Sequence, residues 1–293
     1  NILAERGERV CILTRGYGRK DPKNRVLVSD GETIYANAIE SGDEPFELAN
    51  KLLGKAIVIA DADRVAAAEW AKRRFGVTVF VLDDGFQHRK AKRDVDIVCV
   101  DATNPFGGGK MLPAGRLREP IHNLSRADIV VITRSDLVGD ISDLKFEISN
   151  WAPDSATFVS NNKISGIGKI EIFNAETQRT RSEEKEEKDG DRRAVSFGTQ
   201  KAFAFCGLGN PENFFELLRR NDVAVHGTLA FRDHHIYSQK DIEKIENEAR
   251  NTGAEVLLTT AKDAVKLSNF KFEIDWFVVE IEMNLDEPEE FVN

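Results

Sequence analysis

The stretch "AIVIADADRVAAAEWAKRRFGVTVFVLDD", residues 56–84, places two short apolar runs on either side of a segment with helical spacing. Runs of valine and isoleucine without polar alternation are typical of strands that are buried on both faces of a parallel sheet. The segment between them ends in glycine, which is a common helix stop. A strand, a helix and a second strand in this order indicate a doubly wound α/β domain.

The same alternation continues on both sides of this stretch, with further apolar runs at residues 9–14, 95–101 and 127–136. Strand–turn–helix patterns resume after residue 198. We therefore predict an α/β fold with a doubly wound parallel sheet and a second, smaller α/β domain. The predicted divisions are a core at residues 1–155, an extended linker with a charged insertion at 156–198, and a C-terminal domain at 199–293.

The composition of the chain excludes some classes of function. The 293 residues carry a net charge of −9, whereas a general nucleic-acid binder needs a basic surface to displace counterions. The three cysteines lie far apart in apolar runs, which favours buried reduced thiols over a zinc site. No apolar run reaches the roughly 20 residues that a transmembrane helix needs. We expect neither a nucleic-acid partner nor a zinc site.

Two adjacent acids, Asp83 and Asp84, end an apolar run and are followed by "GFQHR". An apolar strand that ends in aspartate is the Walker B arrangement, in which a carboxylate holds magnesium beside the phosphates of a nucleotide. A helix cap explains a single aspartate equally well, but a doubled acid before Gly-Phe-Gln-His is more specific. We predict that Asp83 and Asp84 bind metal and nucleotide, and that Gln87 and His88 in the following turn bind substrate.

Two basic loops are candidates for contacts with an anionic ligand. In "TRGYGRK" (14–20), Arg15 and Arg19 follow the first strand, on the side where a phosphorylated ligand would bind. In "LPAGRLREP" (112–120), Arg116 and Arg118 lie between two prolines. Solvated surface loops would show the same composition, so the residues alone leave both interpretations open.

Two further motifs combine acids with a helix start or with histidine. In "SGDEPFELA" (41–49), Asp43 and Glu44 precede a helical segment, where acids are ordinary N-terminal residues. In "FRDHHIYS" (231–238), His234 follows an aspartate. A histidine held by an acid can accept or orient a proton, and a surface turn before a helix is the alternative.

A Walker A loop, with its glycines and Lys-Ser/Thr pair, does not occur among the 293 residues. The glycine-rich "NPFGGGKML" (104–112) has no hydroxyl residue next to Lys110, and we predict a flexible substrate loop there. The segment "ITRSD" is similar to the guanine-reading TKxD of GTPases, with Arg134 in place of lysine. A P-loop GTPase or hydrolase is therefore an alternative.

These motifs together resemble the tetraacyldisaccharide 4'-kinase family over about residues 8–280. The matching segments occur in the family's order: "ILTRGYGRK", "SGDEPFELA", "VLDDGFQHR", "RDVDIVCVDATNPFGGGKMLPAGRLREP", "FCGLGNPENFF", "FRDHHIY" and "TTAKDAVKL". The resemblance implies a P-loop NTPase-like kinase that uses ATP and Mg²⁺. It further implies transfer of the γ-phosphate to the 4'-hydroxyl of a tetraacylated glucosamine disaccharide 1-phosphate, by a peripheral protein on the cytoplasmic face of the bacterial inner membrane.

The resemblance also assigns roles to individual residues. Asp83 and Asp84 are implied to be the Walker B acids around magnesium. Asp43 is implied to be the catalytic base, and His234 its partner, brought over from the second domain when two domains close. Our own inference adds a set of substrate contacts, several of them to phosphate groups: Arg15, Arg19, Glu44, Gln87, His88, Arg116 and Arg118.

Two departures from the family pattern qualify these expectations. The family's Walker A loop and N-terminal membrane-associating helix should lie before Asn1, so we expect a truncated form with little or no activity. A non-catalytic fragment that keeps a sugar-lipid surface is the second alternative. In "TTAKD", Ala261 stands where the family usually has glutamate, while Lys262 and Asp263 are in place.

Overall fold

The computed structural model describes residues 2–168, 200–267 and 269–292. The chain forms two compact units, for which we use the names first unit (Asn1–Arg9, Asp63–Lys163 and Glu282–Asn293) and second unit (Val10–Ala62 and Ile164–Ile281). These limits differ from the predicted divisions at residues 155 and 198, and the domain assignment stays a prediction. Residues 169–199 of the predicted linker and its charged run lie outside the described residues.

One sheet of the second unit contains the first three strands of the chain, in the order β2-β3-β1: β1 (Val10–Thr14), β2 (Val26–Ser29) and β3 (Ala56–Ala60). The parallel pair β1 and β3 is in register from Val10 opposite Ala56 to Thr14 opposite Ala60. Every residue of both strands is buried, as their apolar composition predicts. Strand β2, which the sequence pattern did not reveal, pairs with β3 in antiparallel orientation.

The second unit also contains a sheet in the order β11-β10-β8-β9, with parallel pairs throughout: β8 (Ala202–Cys206), β9 (Val225–Ala230), β10 (Val256–Thr260) and β11 (Trp276–Leu285). Residues of β11 beyond Ile281 belong to the first unit. Alternate side chains of β8 supply two separate cores. Ala204 lies in a cluster with Phe214 and Leu218, whereas Phe205 lies in a cluster with Ile242 and Ile245.

The helices of the second unit are α2 (Ala38–Ser41), α3 (Asp43–Lys51), α6 (Pro211–Arg220), α7 (Gln239–Asn251) and α8 (Ala261–Leu267), numbered in chain order. Helix α6 has proline in its first turn, where the missing N–H leaves no bond unmade. Helix α7 begins with a capping box between Ser238 and Asp241. The residues predicted to be functional in this unit lie in the loop after β1 (Arg15 and Arg19), at the start of α3 (Asp43 and Glu44) and in the turn after β9 (His234).

The first unit contains a parallel run of strands in the order β5-β6-β7: β5 (Ile97–Asp101), β6 (Ile129–Thr133) and β7 (Ala156–Gly168). Residues of β7 from Ile164 onward belong to the second unit. It also contains α1 (Ile2–Glu5), α4 (Arg64–Phe75), β4 (Val79–Leu82), α5 (Ser142–Trp151), α9 (Pro288–Val292) and two short 3-10 helices at 121–126 and 135–137. Helix α4 ends at Phe75 and is capped by Gly76 in the left-handed conformation, as its sequence predicts. In the hydrophobic core of the first unit, Val130, Ile132 and Ile148 are fully buried.

The predicted α/β class is confirmed, because helices alternate with mainly parallel strands in both units. Residues 156–168, at the start of the predicted extended linker, form the single strand β7, which the sequence pattern did not reveal. Among the helices of the described residues, none combines the length and the apolar composition required to cross a bilayer.

Candidate active site

Two glycines bring the loop after β1 against the start of α3. Gly16 has φ 66°, and a Cβ there would lie 2.7 Å from the carbonyl oxygen of Ser41. Gly42 has φ 95°, and a Cβ there would lie 2.8 Å from the carbonyl oxygen of Tyr17. Only glycine combines these dihedral angles with so close an approach. The "TRGYG" and "SGDEP" motifs are therefore in direct backbone contact. Asp43, the first residue of α3, follows this contact.

Asp43 contacts two basic side chains from the far end of the sequence. Its Oδ2 atom lies 3.4 Å from Nδ1 of His234 and 2.8 Å from Nζ of Lys266. All three residues belong to the second unit. The contact between Asp43 and His234 therefore lies inside one compact unit, which differs from our expectation that closure of two domains brings them together.

His234 occupies a turn after β9 and is surrounded by acidic and aromatic side chains. Its backbone is left-handed, with φ 57°. Its Nε2 atom lies 4.0 Å from a carboxylate oxygen of Glu44 and 4.0 Å from one of Asp233, and its ring centroid lies 5.7 Å from that of Tyr17. The imidazole is thus placed among three carboxylates, of which that of Asp43 is the nearest.

Asp233 links this turn to α8. Its Oδ1 atom lies 3.0 Å from Nζ of Lys262 and also accepts a hydrogen bond from the backbone N–H of His234. Burial alone raises the pKa of Asp233, but the hydrogen bond and charge of Lys262, with the charge of His234, outweigh it. The pKa of Asp233 therefore lies below its ordinary value, and the carboxylate is charged at neutral pH.

Asp263 fixes the start of α8 against the loop after β8. Its fully buried carboxylate accepts hydrogen bonds from the N–H of Gly207 at 2.9 Å and from Oγ1 of Thr260 at 2.8 Å. A Cβ on Gly207 would lie 3.0 Å from Oδ1 of Asp263. Burial and the nearby charge of Asp263 also raise the pKa of the buried Tyr237. The "CGLGNP" and "TTAKD" motifs are therefore held together by one buried carboxylate.

The two arginines after β1 have different environments. Arg19 is buried, and its guanidinium donates to the main-chain carbonyls of Ala60 at 2.6 Å and Pro22 at 2.7 Å. A phosphate contact by Arg19 would require these hydrogen bonds to be exchanged, so the geometry favours a structural role. Burial lowers the pKa of Arg19, against the opposing charge of Asp61. Arg15 is exposed at the end of β1 and is the better candidate for a ligand contact.

In the first unit, Asp83 and Asp84 directly follow β4. Asp84 has a left-handed backbone, and its exposed carboxylate lies 2.6 Å from Nη1 of Arg118. The main-chain carbonyl of Asp83 lies 3.5 Å from Nη2 of the buried Arg64, at the start of α4. The acids predicted to bind metal are thus accompanied by two guanidinium groups, one predicted (Arg118) and one not.

The donor set at these acids fits a magnesium ion that is bound together with nucleotide. Among the described residues, no three His, Cys, Asp or Glu side chains are grouped to hold a metal. Mg²⁺ needs only one or two carboxylates when water and substrate phosphates complete its octahedron. Within the described part of the chain, the carboxylate of Asp83 makes no hydrogen bond or ion pair. That carboxylate is available as a ligand.

The loop that carries Arg116 and Arg118 folds back on the glycine-rich segment before it. The N–H of Leu117 donates to the carbonyl of Lys110, and the N–H of Leu112 donates to the carbonyl of Leu117. A Cβ on Gly107 would lie 2.6 Å from Cβ of Arg116. These contacts define the conformation of the segment that we predicted to be a flexible substrate loop, and they leave the side chain of Arg116 exposed.

The turn after the acids contains Gln87 and His88. Gln87 is exposed, and His88 is half-buried. Burial lowers the pKa of His88, and the positive charges of Arg64 and Arg93 lower it further. His88 is therefore neutral at neutral pH, so it can donate or accept a hydrogen bond but brings no charge to a ligand.

The structure thus groups some predicted residues and adds others. In the second unit it brings together Asp43, Glu44 and His234; in the first unit it brings together Asp84 and Arg118. Our sequence analysis missed Lys266 and Arg64. Lys266 lies in the motif "TTAKDAVKL", three residues after Asp263. On a helix this spacing places the two residues on the same face, which is the signal that could have identified Lys266. For Arg64, the only signal in the sequence was its position in the first turn of the predicted helix α4.

Comparisons with known proteins point to one family. A family model described as Tetraacyldisaccharide-1-P 4'-kinase matches residues 1–293. The tetraacyldisaccharide 4'-kinase of Halothermothrix orenii is 35% identical over 292 residues, with 97% of this chain and 74% of the relative covered. That of Geobacter metallireducens is 34% identical over 290 residues, with 98% and 78% covered.

A solved structure is similar along almost the whole chain. The crystal structure of an "apo" form of LpxK from Aquifex aeolicus in complex with ATP superposes with a TM-score of 0.71 and 28% sequence identity. The match covers 99% of this chain and 80% of that chain. The fold, the family model and relatives above 30% identity therefore agree, and the chain belongs to the tetraacyldisaccharide 4'-kinase family.

Proposed function

We propose that this protein transfers the γ-phosphate of ATP to the 4'-hydroxyl of tetraacyldisaccharide 1-phosphate, a step of lipid A biosynthesis. The observation that carries this proposal is the contact between Asp43 and His234, at 3.4 Å in a family of kinases. A sugar hydroxyl is a weak nucleophile, so its attack on a phosphoryl group benefits from a carboxylate that accepts its proton.

In the proposed step, Asp43 accepts the proton of the 4'-hydroxyl while the new bond forms between that oxygen and the γ-phosphorus. The bond between the γ-phosphorus and the β,γ-bridging oxygen breaks, and its electron pair leaves with ADP. Among the described residues, Oδ1 of Asp43 makes no hydrogen bond or ion pair, whereas Oδ2 faces His234. Oδ1 is therefore the oxygen that takes the proton, and His234 orients the carboxylate.

Asp83 and Asp84 would hold Mg²⁺, which neutralises phosphate charge when it is bound with nucleotide. Their place directly after β4 and the open carboxylate of Asp83 support this assignment. Arg118 keeps the carboxylate of Asp84 in place through their ion pair. Arg64, near the main-chain carbonyl of Asp83, is a further candidate for a phosphate contact.

The remaining substrate contacts that we propose are polar side chains in loops: Arg15, Glu44, Gln87, His88 and Arg116. Exposure of Arg15, Glu44, Gln87 and Arg116 supports them. Arg19 is the weakest member of the predicted set because main-chain carbonyls occupy its guanidinium. We further propose peripheral association with the cytoplasmic face of the bacterial inner membrane, since an acylated substrate resides in a lipid leaflet. The net charge of −9 supports a function without nucleic acid.

The test is phosphate transfer by the full product of the gene that encodes these residues. Mg-ATP and tetraacyldisaccharide 1-phosphate are the substrates, and mass spectrometry of the lipid detects the product. We expect transfer, and a loss of about 10²–10⁴-fold in kcat for Asp43→Ala. The matched control is Glu47→Ala, an acid on the same helix whose partner is Lys51, for which we expect unchanged transfer.

Three results would change the proposal. Transfer that survives Asp43→Ala would keep the kinase and assign the base elsewhere. Transfer from GTP but not from ATP would favour the GTPase alternative, although Arg134 of "ITRSD" pairs with Asp101 in this structure. No phosphorylated lipid with the unsubstituted protein would contradict the proposed substrate.

A further inference from the structure

Lys266 is the least exposed charged group around Asp43. It lies on α8, and its side chain is 9% exposed, compared with 30% for His234 and 21% for Asp43. Its Nζ atom lies 2.8 Å from Oδ2 of Asp43. Helices α3 and α8 belong to the same unit and pack against each other, so the contact is built into the fold of that unit.

A buried ammonium group is costly unless an opposite charge compensates it. Within the described residues, the ion pair with Asp43 is the only one that Lys266 makes, and Nζ makes no aligned hydrogen bond. Asp43 is therefore the charge that permits Lys266 to be buried. Lys266 is in turn the nearer of the two basic groups that compensate the charge of Asp43, because its Nζ atom approaches Oδ2 more closely than the imidazole of His234 does.

The two basic groups hold the same oxygen of the carboxylate. His234 and Lys266 both face Oδ2, while Oδ1 has no partner among the residues that the structure describes. A carboxylate that is held at one oxygen by groups from two separate elements cannot rotate freely about its side-chain bonds. Its second oxygen then has a defined direction, which a proton acceptor needs for an aligned transfer.

We propose that Lys266 is a positioning residue for the phosphoryl-transfer reaction: it holds Oδ2 of Asp43 so that Oδ1 faces the sugar hydroxyl. This inference rests on the proposed function. Lys266 acts through Asp43 and touches none of the reacting atoms. The role differs from that of Lys262 on the same helix, which pairs with Asp233 beside the histidine turn.

The first test is steady-state kinetics of the full gene product with Lys266→Met, whose apolar side chain of similar length fits a buried position. We expect kcat to fall about 10²-fold, with KM for ATP and for the lipid within about threefold of the unsubstituted values. Lys266→Arg keeps the charge and should recover about tenfold of that loss. The matched control is Lys51→Met on α3, an exposed lysine paired with Glu47, which should not change kcat.

The second test is a double-mutant cycle that separates positioning from a general structural effect. If Lys266 acts through Asp43, Lys266→Met has no further effect on kcat in the Asp43→Ala background. The melting temperature gives an independent measurement. Asp43→Ala leaves the buried ammonium without its counter-charge, so it should lower Tm more than the double variant Asp43→Ala/Lys266→Met does.

The outcomes distinguish this inference from the function on which it rests. Normal kcat in Lys266→Met, while the unsubstituted protein phosphorylates the lipid, would overturn the inference alone. A raised KM for the lipid with unchanged kcat would also overturn it, because Lys266 would then bind substrate. Additive losses in the double variant would indicate a structural role independent of Asp43. No transfer by the unsubstituted protein would overturn the proposed function and this inference together.

Discussion

Asp84, a proposed metal ligand, has an unusual backbone conformation. Its backbone φ of 49° is uncommon for a residue with a side chain. Its side chain is 64% exposed, and that of its partner Arg118 is 57% exposed. An exposed ion pair contributes little to stability, so the ion pair with Arg118 does not by itself account for this conformation.

We predict that Asp83→Asn and Asp84→Asn weaken the response to magnesium. The Mg²⁺ concentration for half-maximal transfer should rise about tenfold or more, because one carboxylate ligand loses its charge. The melting temperature should change little, since the ion pair of Asp84 is exposed. The control is Asp94→Asn, an exposed acid of the same unit. An unchanged magnesium titration with a lowered melting temperature would mean that the acids are structural.

A second prediction at this scale concerns acid stability. The pKa of Asp233 lies below its ordinary value of 3.8, since Lys262 and His234 outweigh the effect of burial. Its stabilising contribution is therefore complete above that ordinary value and is lost as the pH falls through the lower pKa of the folded state. Asp233→Asn should lower Tm at about pH 6, and the difference should shrink below about pH 4. A difference that stays constant with pH would contradict this linkage.

At the scale of elements, the turn between α2 and α3 determines where Asp43 lies. Gly42 is both the C-cap of α2 and the N-cap of α3. A Cβ on Gly42 would meet backbone atoms of Gly16 and Tyr17. Backbone atoms cannot move aside as the end of a flexible side chain can. The position of the catalytic candidate is therefore set by contact between two main chains.

We predict that Gly42→Ala destabilises the protein and reduces activity together. A Cβ would lie 2.8 Å from the carbonyl oxygen of Tyr17, at φ 95°, so the loss should be about 2–4 kcal/mol of unfolding free energy. The control is Gly18→Ala, with φ 77° and no atom near the new Cβ, which should cost about 1 kcal/mol. Urea denaturation and kcat measure both effects; equal losses in the two variants would show that close packing at Gly42 is unimportant.

At the scale of the whole molecule, burial distinguishes three cysteines that the sequence presents alike. Cys11 and Cys206 are fully buried, and burial raises the pKa of both thiols to about 12, with the charge of Asp263 adding to the effect at Cys206. Cys99 is exposed on β5, although partial burial raises its pKa as well. The reactive form of a thiol is the thiolate, so exposure decides which residue reacts.

We predict that a thiol reagent labels one cysteine of the folded protein much faster than the other two. Mass spectrometry after limited labelling at neutral pH should find the modification on Cys99, and all three thiols should react in denaturant. Cys99→Ser should remove the fast reaction. Fast labelling of Cys11 or Cys206 in the native protein would indicate that the sheets open more readily than their burial suggests.

Much of the fold could be predicted because its signals are local. Continuous apolar runs indicated β1, β3, β4, β5, β6, β8 and β10, and helical spacing indicated α3, α4, α6 and α8. The short strand β2 was missed because Val26–Ser29 is too brief to show a period. Strand β7 was missed because Asn and Ser residues interrupt its apolar pattern, and pairing with its neighbours overrides that composition.

The candidate site could be predicted only in part. Asp43, His234, Asp83 and Asp84 stood in motifs long enough to resemble a family, whereas Lys266 and Arg64 did not attract attention within theirs. Arg19 appeared to be one of several basic residues in a loop, but its guanidinium is buried against two carbonyls. Composition records that a charge is present and does not record which atoms compensate it.

By itself, the sequence determined the α/β class, the family and the identity of the acids at the strand ends, because periodicity and motif order are written along the chain. Only the tertiary structure decided which charges meet. His234 and Asp43 are separated by 191 positions, and no local pattern specifies that His234 and Lys266 both face Oδ2 of Asp43. That arrangement follows from the packing of α3 against α8 and from Gly16 and Gly42, which allow two main chains to touch. A charge that this packing buries is stable only when an opposite charge lies beside it.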